Sequence, residues 1–158
     1  MSDLPKSARR VEEAVTGLGL SARIICHDVS SRTAEEAAAA CGCDVGQIIK
    51  SLVFQGKRTE TAYLLLVSGK NRVNEKAVAK IIGEPLRRPD AGFVREVTGY
   101  AIGGIPPVGH ATALATYLDE DLRAYETAWG AAGTPECVME LNVEALTAAT
   151  GAHVISVS

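Results

Sequence analysis

The sequence has 158 residues, a net charge of −3 at pH 7 and a pI of about 5.6. Apolar residues make up 47% of the chain and aromatic residues only 4%, so we expect one core built mainly from Ala, Val, Ile and Leu. These values exclude a protein that wraps nucleic acid with a broad basic surface, and they argue against recognition of single strands by rows of stacked aromatic side chains.

The first third of the chain is predicted as helix, strand and helix. Apolar side chains at helical spacing predict a helix over residues 5–18, and a short apolar run predicts a strand over 22–26. The sequence TAEE at residues 33–36 is a capping box, in which the Thr33 hydroxyl and the Glu36 carboxylate satisfy backbone N–H groups at a helix start. The alanine-rich helix that follows is expected to end near Cys41, with a short helical turn before Ile48.

The remainder is predicted to build most of a sheet. Two almost wholly apolar runs, at residues 49–54 and 62–68, flank a polar turn at 57–60 and predict an antiparallel hairpin of central strands. Further helices are predicted over residues 74–82, 90–97 and 142–150, and further strands over 113–117, 124–129, 137–141 and 152–157. Because hairpins replace a regular βαβ repeat, we predict one mixed α/β (α+β) domain over residues 1–158.

The cysteines and the N-terminus indicate the cellular compartment. Cys26, Cys41, Cys43 and Cys137 lack the paired spacing of structural zinc, so we predict four reduced thiols, mostly buried, with no metal and no cofactor. The sequence begins without a signal segment, and no apolar run reaches membrane-spanning length. We therefore expect a cytoplasmic protein with no membrane partner.

Lys50 stands out in the otherwise apolar strand predicted over residues 49–54. Strand alternation places it on the same side as Leu52 and Phe54. A lysine there either extends its ammonium to solvent at the end of the sheet or points into a cavity that needs a cation. In the second case the ammonium is a point donor suited to a carbonyl, carboxylate or phosphate oxygen.

Residues 100–110 (YAIGGIPPVGH) combine two adjacent glycines with two adjacent prolines. Glycine lets a ligand approach the main chain closely, whereas proline fixes φ and removes an amide donor. The loop is either a tight structural turn or a rigid wall whose bare backbone at Gly103 and Gly104 holds a reacting carbonyl or a water. With Lys50 such a wall would form a minimal hydrolytic site, and spacing reveals no Ser, Cys or His triad.

Four stretches of the sequence carry a resemblance to a known family. They are residues 33–38 (TAEEAA), 47–53 (QIIKSLV), 67–71 (VSGKN) and 99–109 (GYAIGGIPPVG). Through them, nearly the whole chain resembles the YbaK/prolyl-tRNA-synthetase-associated domain family, the free-standing relatives of the editing insertion in bacterial prolyl-tRNA synthetases. The resemblance implies a strongly curved mixed sheet flanked by helices, and hydrolysis of the ester that joins a wrong amino acid to tRNA.

The same resemblance implies roles for particular residues. Lys50 would line the pocket and be required for activity, and residues 103–107 would shape the pocket for the aminoacyl ester and the terminal adenosine. Water, helped by the ribose hydroxyl of the substrate, would be the nucleophile. The chain departs from many relatives at two positions, because Thr33 stands where an aromatic residue is common and Val138 where an acidic one is common. A smaller and less polar pocket wall is expected, so the substrate of cysteine-specific members cannot be carried over.

The candidate site therefore has two sets of residues. The catalytic set is Lys50, Gly103 and Gly104, and the substrate-binding set is Thr33, Ser51, Asn71, Ile105, Pro106, Pro107, His110 and Gly133. A purely structural role stays open for four of them: Thr33 as a helix cap, Asn71 and Gly133 as turn residues, and His110 as a histidine satisfied by backbone. Trp129 is expected in the core.

The leading functional hypothesis is a trans-acting aminoacyl-tRNA deacylase. Its expected substrate is alanine, cysteine or 2-aminobutyrate on a proline tRNA, and its expected partners are the acceptor end of that tRNA and prolyl-tRNA synthetase. The synthetase would supplement a weak intrinsic attraction to RNA, since the net charge is negative. The alternative is a non-catalytic module that binds an aminoacylated or nucleotide ligand, and a metallohydrolase has little support from ligand spacing.

Overall fold

The computed structural model describes residues 4–28 and 33–158. Within these ranges the chain forms five α-helices and eight strands, in a mixed order along the sequence. The helices are α1 (Lys6–Gly17), α2 (Ala34–Cys41), α3 (Glu75–Ile82), α4 (Ala91–Thr98) and α5 (Val143–Thr150). The strands are β1 (Ala22–Cys26), β2 (Ile48–Gly56), β3 (Ala62–Ser68), β4 (Leu86–Arg87), β5 (Ala115–Asp119), β6 (Thr127–Ala131), β7 (Cys137–Asn142) and β8 (His153–Ile155).

The eight strands form one mixed sheet with the order β1-β7-β6-β2-β3-β5-β8, and β4 pairs with β2 outside this path. The predicted hairpin is confirmed, because β2 and β3 pair antiparallel from Ile49 opposite Ser68 to Gln55 opposite Ala62. The predicted mixed α/β fold is confirmed as well. The sheet is not closed, and parallel pairings join β3 to β5 and β5 to β8.

The second edge of β2 is only partly covered. It pairs in parallel with β6 at Ile48 and Ile49, and antiparallel with β4 at Gln55 and Gly56. Between these two contacts, no strand of the described ranges pairs with this edge. The backbone of β2 therefore borders a gap from Lys50 to Phe54.

Helix ends follow the capping signals in the sequence. Each of α2 to α5 begins after a residue whose side chain accepts a hydrogen bond from the backbone N–H three residues later, and each ends at a glycine in the left-handed conformation. The N-terminal caps are Thr33, Asn74, Asp90 and Asn142. These local signals explain why the helix predictions agree with the structure to within about a residue or two.

Both faces of the central strands are buried, as predicted for the apolar runs. Alternate residues of β3 pack into different clusters: Leu64 and Leu66 lie with α1 and residues 100–108 on one face, and Leu65 and Val67 lie with α3 on the other. All four side chains are fully buried. The sheet is thus a middle layer, covered on one face by α1 and the glycine-proline loop.

Two strand predictions are shifted because a turn was misplaced. Asp119 caps a 3₁₀ turn at Glu120–Ala124, so β5 extends to Asp119 and β6 starts at Thr127 and not at residue 124. The two-residue strand β4 was not predicted, since so short a run carries no alternation that could be read. Among the described helices, none is both long and apolar enough to cross a membrane.

The prediction of four reduced cysteines is wrong for two of them. Cys26 and Cys137 form a disulfide, whereas Cys41 and Cys43 are free and half-buried. The physical reason is the register of β1 and β7, which places Cys26 directly opposite Cys137 with Cα atoms 4.0 Å apart. The two residues are 111 positions apart in sequence, so local patterns gave no sign of the pairing.

The buried side chain of Glu84 holds the turn between β2 and β3. Its carboxylate accepts hydrogen bonds from the hydroxyl groups of Thr59 and Tyr63 at 2.6 and 2.7 Å, and from the backbone N–H groups of Arg58 and Thr59 at 3.0 Å each. These donors, with the Thr59 hydroxyl first, favour the ionised form and lower the pKa of Glu84 to about 2. Gly56 passes beside this carboxylate, where a Cβ atom would overlap it.

We expect Glu84→Gln to remove a pH-dependent part of the stability. Since the folded chain lowers the pKa of Glu84 from 4.5 to about 2, its contribution is present above pH 4.5 and is lost as the pH falls towards 2. Urea unfolding between pH 7 and pH 2 should show a shallower loss of stability for this variant than for wild type. Glu12→Gln, at an exposed position of α1, should keep the wild-type pH dependence. Identical curves for Glu84→Gln and wild type would contradict the assignment.

Candidate functional site

A cleft of about 170 Å³ lies where the N-terminus of α2, the start of β2, the glycine-proline loop and strands β6 and β7 meet. The pairing of β2 with β6 creates it, because Ile48 lies opposite Trp129 and Ile49 opposite Gly130. A Cβ atom on Gly130 would be 3.1 Å from Cδ of Pro107, so the glycine lets the proline loop pack closely on β6. Its lining includes Thr33, Ala34, Ala37, Lys50, Gly103, Trp129, Gly130, Pro135, Cys137 and Val138.

Lys50 lies in this cleft with its ammonium tethered. The Nζ atom donates a hydrogen bond to the carbonyl oxygen of Asn71 at 2.5 Å. Burial lowers the pKa of Lys50, and the positive charge of Arg72 lowers it further, whereas Glu35 and Asp119 act in the opposite direction. Lys50 is thus a partly desolvated cation held at one position, with donors left for a ligand because an ammonium has three.

Asn71 holds Lys50 through a network that reaches a buried carboxylate. Its side-chain amide donates to Asp119 at 2.8 Å and to Asp121 at 2.7 Å, while its own carbonyl oxygen accepts from Lys50. Asp119 is 1% exposed and also accepts from the backbone N–H of Ser68 at 3.0 Å. The amide of Asn71 is therefore occupied within the protein. Asn71, predicted to bind substrate, instead positions Lys50.

The two glycines of the loop have different environments. Gly103 is exposed, has φ of 99° and lines the cleft with Lys50. Gly104 is buried; its N–H donates to the carbonyl of Ala101 at 3.0 Å and its carbonyl accepts from the N–H of Gly133 at 2.9 Å. The expectation of free backbone at both glycines is wrong for Gly104, because its polar groups close the loop and join it to the turn after β6.

Ser51 and Ile105 line a neighbouring cavity of about 210 Å³, on the other side of the loop from Gly103. Within the described ranges the buried Oγ atom of Ser51 has no hydrogen-bond partner. The carbonyl of Ile48 and the N–H of Gly56 face β3. Because the backbone polar groups of successive strand residues point to opposite edges, those of the even-numbered residues of β2 face β3. The N–H and C=O groups of Ser51 therefore point to the other edge, towards the gap beside β2. Ser51 thus presents unused polar groups near Lys50.

The other predicted substrate-binding residues are not all brought to the cleft. Pro106 and Pro107 are buried and support the loop from inside. Nε2 of His110 lies 2.7 Å from the carbonyl oxygen of Pro106, and burial lowers the pKa of this histidine. His110 lines a separate groove beside α1 and α5. Its position agrees with the alternative in which the ring is hydrogen-bonded to the backbone and has a structural role. Gly133 is a turn residue with φ of 92° that packs against the backbone of Ser7.

Sequence reasoning missed most of the far wall of the cleft. Trp129 was expected in the core; it is 4% exposed, but it also borders the cleft, and the guanidinium of Arg23 lies 5.2 Å from its ring centroid. Residues 133–135 are predicted either as a second pocket wall or as a turn between strands, and Pro135 of this stretch lines the cleft. Gly130 was not singled out, because a glycine near a predicted strand end is common in ordinary turns. Thr33 and Val138, the two departures from the family pattern, both line the cleft.

Among the described residues, the polar groups that line the cleft include the Lys50 ammonium, the Thr33 hydroxyl and the backbone of Gly103, and the thiols there are not activated. Cys137 is in the disulfide, and burial, followed by the charges of Cys43 and Glu140, raises the pKa of nearby Cys41 to about 11. Its thiol is protonated at neutral pH and is a poor nucleophile. No group of three or more His, Cys, Asp or Glu residues in the described ranges could hold a metal ion.

Comparison with known proteins gives a consistent assignment. The profile of the aminoacyl-tRNA editing domain family matches residues 28–149, which is most of the chain. The chain belongs to this family. The match spans the four motif stretches and the strands that build the cleft.

Individual relatives resemble this editing domain over most of their length. YwhH of Bacillus subtilis, described as uncharacterised, is 32% identical over 119 residues, covering 75% of each chain. EbsC of Enterococcus faecalis, named as a proposed Cys-tRNA(Pro)/Cys-tRNA(Cys) deacylase, is 31% identical over 122 residues, covering 75% of this chain and 72% of EbsC. A solved structure described as a proposed trans-editing enzyme for prolyl tRNA synthetase is 48% identical, with a TM-score of 0.91 and 99% of both chains covered.

We expect Asp119→Asn to destabilise the editing domain by about 1–3 kcal/mol. Both carboxylate oxygens accept hydrogen bonds, Oδ2 from the N–H groups of Ser68 and Asn71 and Oδ1 from the backbone N–H of Asp121, so an amide nitrogen would face at least one donor. Urea unfolding at pH 7 measures the difference. Glu126→Gln, the same change of chemistry at an exposed position, should stay close to wild type. Equal stability of Asp119→Asn and wild type would show that the network does not hold the turn after β3.

We expect Gly104→Ala to destabilise the domain by about 1–3 kcal/mol through overpacking. The added Cβ atom would be 2.7 Å from the carbonyl oxygen of Gly133 and 2.9 Å from Cα of Thr134, both of which are backbone atoms. Thermal unfolding tests this, with Gly17→Ala as control, since a Cβ atom at Gly17 meets no atom within 4 Å. A melting temperature for Gly104→Ala as high as that of the control would contradict the close contact.

Proposed function

We propose that this editing domain is a trans-acting aminoacyl-tRNA deacylase that hydrolyses the ester of a small noncognate amino acid on a proline tRNA. The observation that carries the proposal is the placement of the Lys50 ammonium and the exposed backbone of Gly103 around one small cleft. A cation beside bare backbone is suited to an ester carbonyl that becomes negatively charged as it reacts. Membership of the editing domain family supports this chemistry.

In the proposed reaction, water is the nucleophile. The oxygen of water attacks the ester carbonyl carbon, and the bond between that carbon and the ribose oxygen breaks. A proton from the water ends on the ribose oxygen, and the products are a free amino acid and an uncharged tRNA end. Lys50 donates a hydrogen bond to an oxygen of the substrate while Asn71 keeps the ammonium in position. The neighbouring hydroxyl of the terminal ribose is the group proposed to orient the water.

The walls of the cleft favour a small side chain. Ala34, Ala37 and Val138 supply small apolar surfaces, and Trp129 adds an aromatic one, around a volume of about 170 Å³. No carboxylate lines the cleft within the described residues, in contrast to the acidic position that the resemblance places at Val138. Alanine, cysteine and 2-aminobutyrate fit this description. The proline tRNA and the synthetase partner are proposed because the names of EbsC and of the trans-editing structure refer to tRNA(Pro) and prolyl tRNA synthetase.

We expect Lys50→Met to lower deacylation by about a hundredfold or more, on the scale seen when a preorganised donor is removed from a catalytic site. Methionine keeps an unbranched side chain of similar length but loses the ammonium. The assay follows release of amino acid from tRNA(Pro) charged with alanine, cysteine or 2-aminobutyrate, with Pro-tRNA(Pro) as the substrate to be spared. Lys6→Met, an exposed lysine on α1, is the matched control and should be fully active.

The same panel of charged tRNAs distinguishes a deacylase from a non-catalytic binding module. Wild-type turnover on one of the mischarged tRNAs, lost in Lys50→Met, supports the deacylase. If wild type releases no amino acid from any of them while Lys50→Met binds charged tRNA more weakly, the domain is a binding module and the proposed reaction is wrong.

A further inference from the structure

The charges of the chain are strongly segregated. Residues 50–95 contain ten of the 16 Lys and Arg residues but only four of the 19 Asp and Glu residues, so this segment has a net charge of +6 within a chain of −3. It comprises most of β2, together with β3, α3, β4 and part of α4. The remaining surface is correspondingly acidic. An overall negative charge therefore conceals one strongly basic region.

Three lysines of this region line a large cleft of the described structure. The cleft has a volume of about 680 Å³ and lies between α3 and β4, with Ala79, Pro85 and Leu86 in its apolar floor. Lys57, Lys76 and Lys80 stand on its rim; all three are exposed and have no ion-pair partner within the described ranges. We name this surface, defined by Lys57, Lys76 and Lys80, the α3–β4 face.

The acidic groups of the same cleft are already engaged. The carboxylate of Glu84 is turned into the hydrogen bonds with Thr59 and Tyr63, and Glu75 lies 3.6 Å from the guanidinium of Arg88. The three lysines are thus the charges that remain available to a ligand. An exposed lysine without a partner is a suitable point donor for phosphate oxygens.

The α3–β4 face is continuous with the Lys50 cleft. Lys50, Leu52 and Phe54 lie on one side of β2, and the guanidinium of Arg88 lies 5.5 Å from the centroid of the Phe54 ring. Leu52 and Phe54 pack in one cluster with Val78 of α3 and Leu86 of β4, so Lys50 projects from the face of β2 that α3 and β4 cover. Six residue steps along β2 separate Lys50 from Gly56, a length of about 20 Å. A band of positive charge therefore runs from the candidate active site to the α3–β4 face.

We propose that the α3–β4 face binds the sugar-phosphate backbone of an RNA stem, namely the acceptor stem of the tRNA whose ester lies at Lys50. The proposal rests on the proposed function, because the stem is covalently continuous with the ester and must leave the cleft over one face of the protein. The rest of the chain disfavours phosphates as a whole, because outside residues 50–95 it has six Lys and Arg residues against 15 Asp and Glu residues, a net charge of −9. A-form RNA is bound mostly through its shape, its phosphates and its ribose hydroxyls, so point charges on a broad cleft suffice.

The test is a triple variant, Lys57→Gln, Lys76→Gln and Lys80→Gln, in the full chain. Its matched control is Lys6→Gln, Arg9→Gln and Arg123→Gln, which removes three exposed charges elsewhere. Binding of an uncharged RNA hairpin with the sequence of the tRNA(Pro) acceptor stem is followed by fluorescence anisotropy at several salt concentrations. We expect the α3–β4 variant to bind about ten- to a hundredfold more weakly and its slope of log K against log salt to be shallower by about 2–3, with the control close to wild type.

Hydrolysis assays separate binding of the RNA stem from cleavage of the ester. The α3–β4 variant should raise KM for charged tRNA and leave both kcat and the cleavage of a stem-free aminoacyl-adenosine unchanged. Affinity and salt slope equal to those of wild type would overturn the proposal. The proposal would also be overturned if the α3–β4 variant lost binding to polyglutamate but kept binding to the hairpin. The face would then be a docking site for an acidic protein. If the lysines are required for hairpin binding but wild type deacylates nothing, the RNA face stands and the proposed function falls.

Discussion

The structure depends on how β2 is paired. Along one edge it is joined to β3 over seven consecutive residue pairs, whereas its other edge has β6 at one end and β4 at the other. The continuous pairing holds the strand rigid in the middle of the sheet. The interrupted pairing leaves room beside Lys50 and Ser51 for the glycine-proline loop and for a ligand. A strand paired on both edges throughout would leave no such gap.

The position of Lys50 shows how the fold tolerates a charge that the proposed function requires. Placing an ammonium where it is partly removed from water is unfavourable, which is why burial is the main cause of its lowered pKa. The carbonyl of Asn71 compensates directly, and Asp119 compensates through the amide of Asn71. The chain therefore uses a buried carboxylate to hold a turn, and that turn holds the lysine. Residues far apart in the sequence act on one ammonium group.

Local signals in the sequence predicted the parts of the site that lie within one element. Strand alternation identified Lys50 as exceptional, capping signals located α2 with Thr33 at its start, and the composition of residues 100–110 indicated a special loop. What could not be predicted depends on pairing between distant segments. The β2–β6 contact that brings Trp129 to the cleft joins residues 81 positions apart, and the Cys26–Cys137 disulfide joins residues 111 positions apart. Composition alone also could not distinguish Gly103 from Gly104, because their roles differ only in which backbone groups the folded loop uses.

Net charge was equally uninformative until the fold was known. A value of −3 excludes a protein that is basic all over, and that exclusion remains correct. It does not describe the surface that a ligand meets, because α3 and the β2–β3 hairpin bring the basic clusters of one segment together, while 15 of the 19 acidic residues lie outside that segment. Lys57, Lys76 and Lys80 each have the properties of ordinary solvated charge when taken singly. Their shared lack of ion-pair partners within the described structure, and their connection through Arg88 to the Lys50 cleft, distinguish this surface from a scatter of lysines. For the proposed deacylase, whose substrate would be a small ester on a large polyanion, a short basic track beside the cleft would position the RNA without making the whole surface attractive to it.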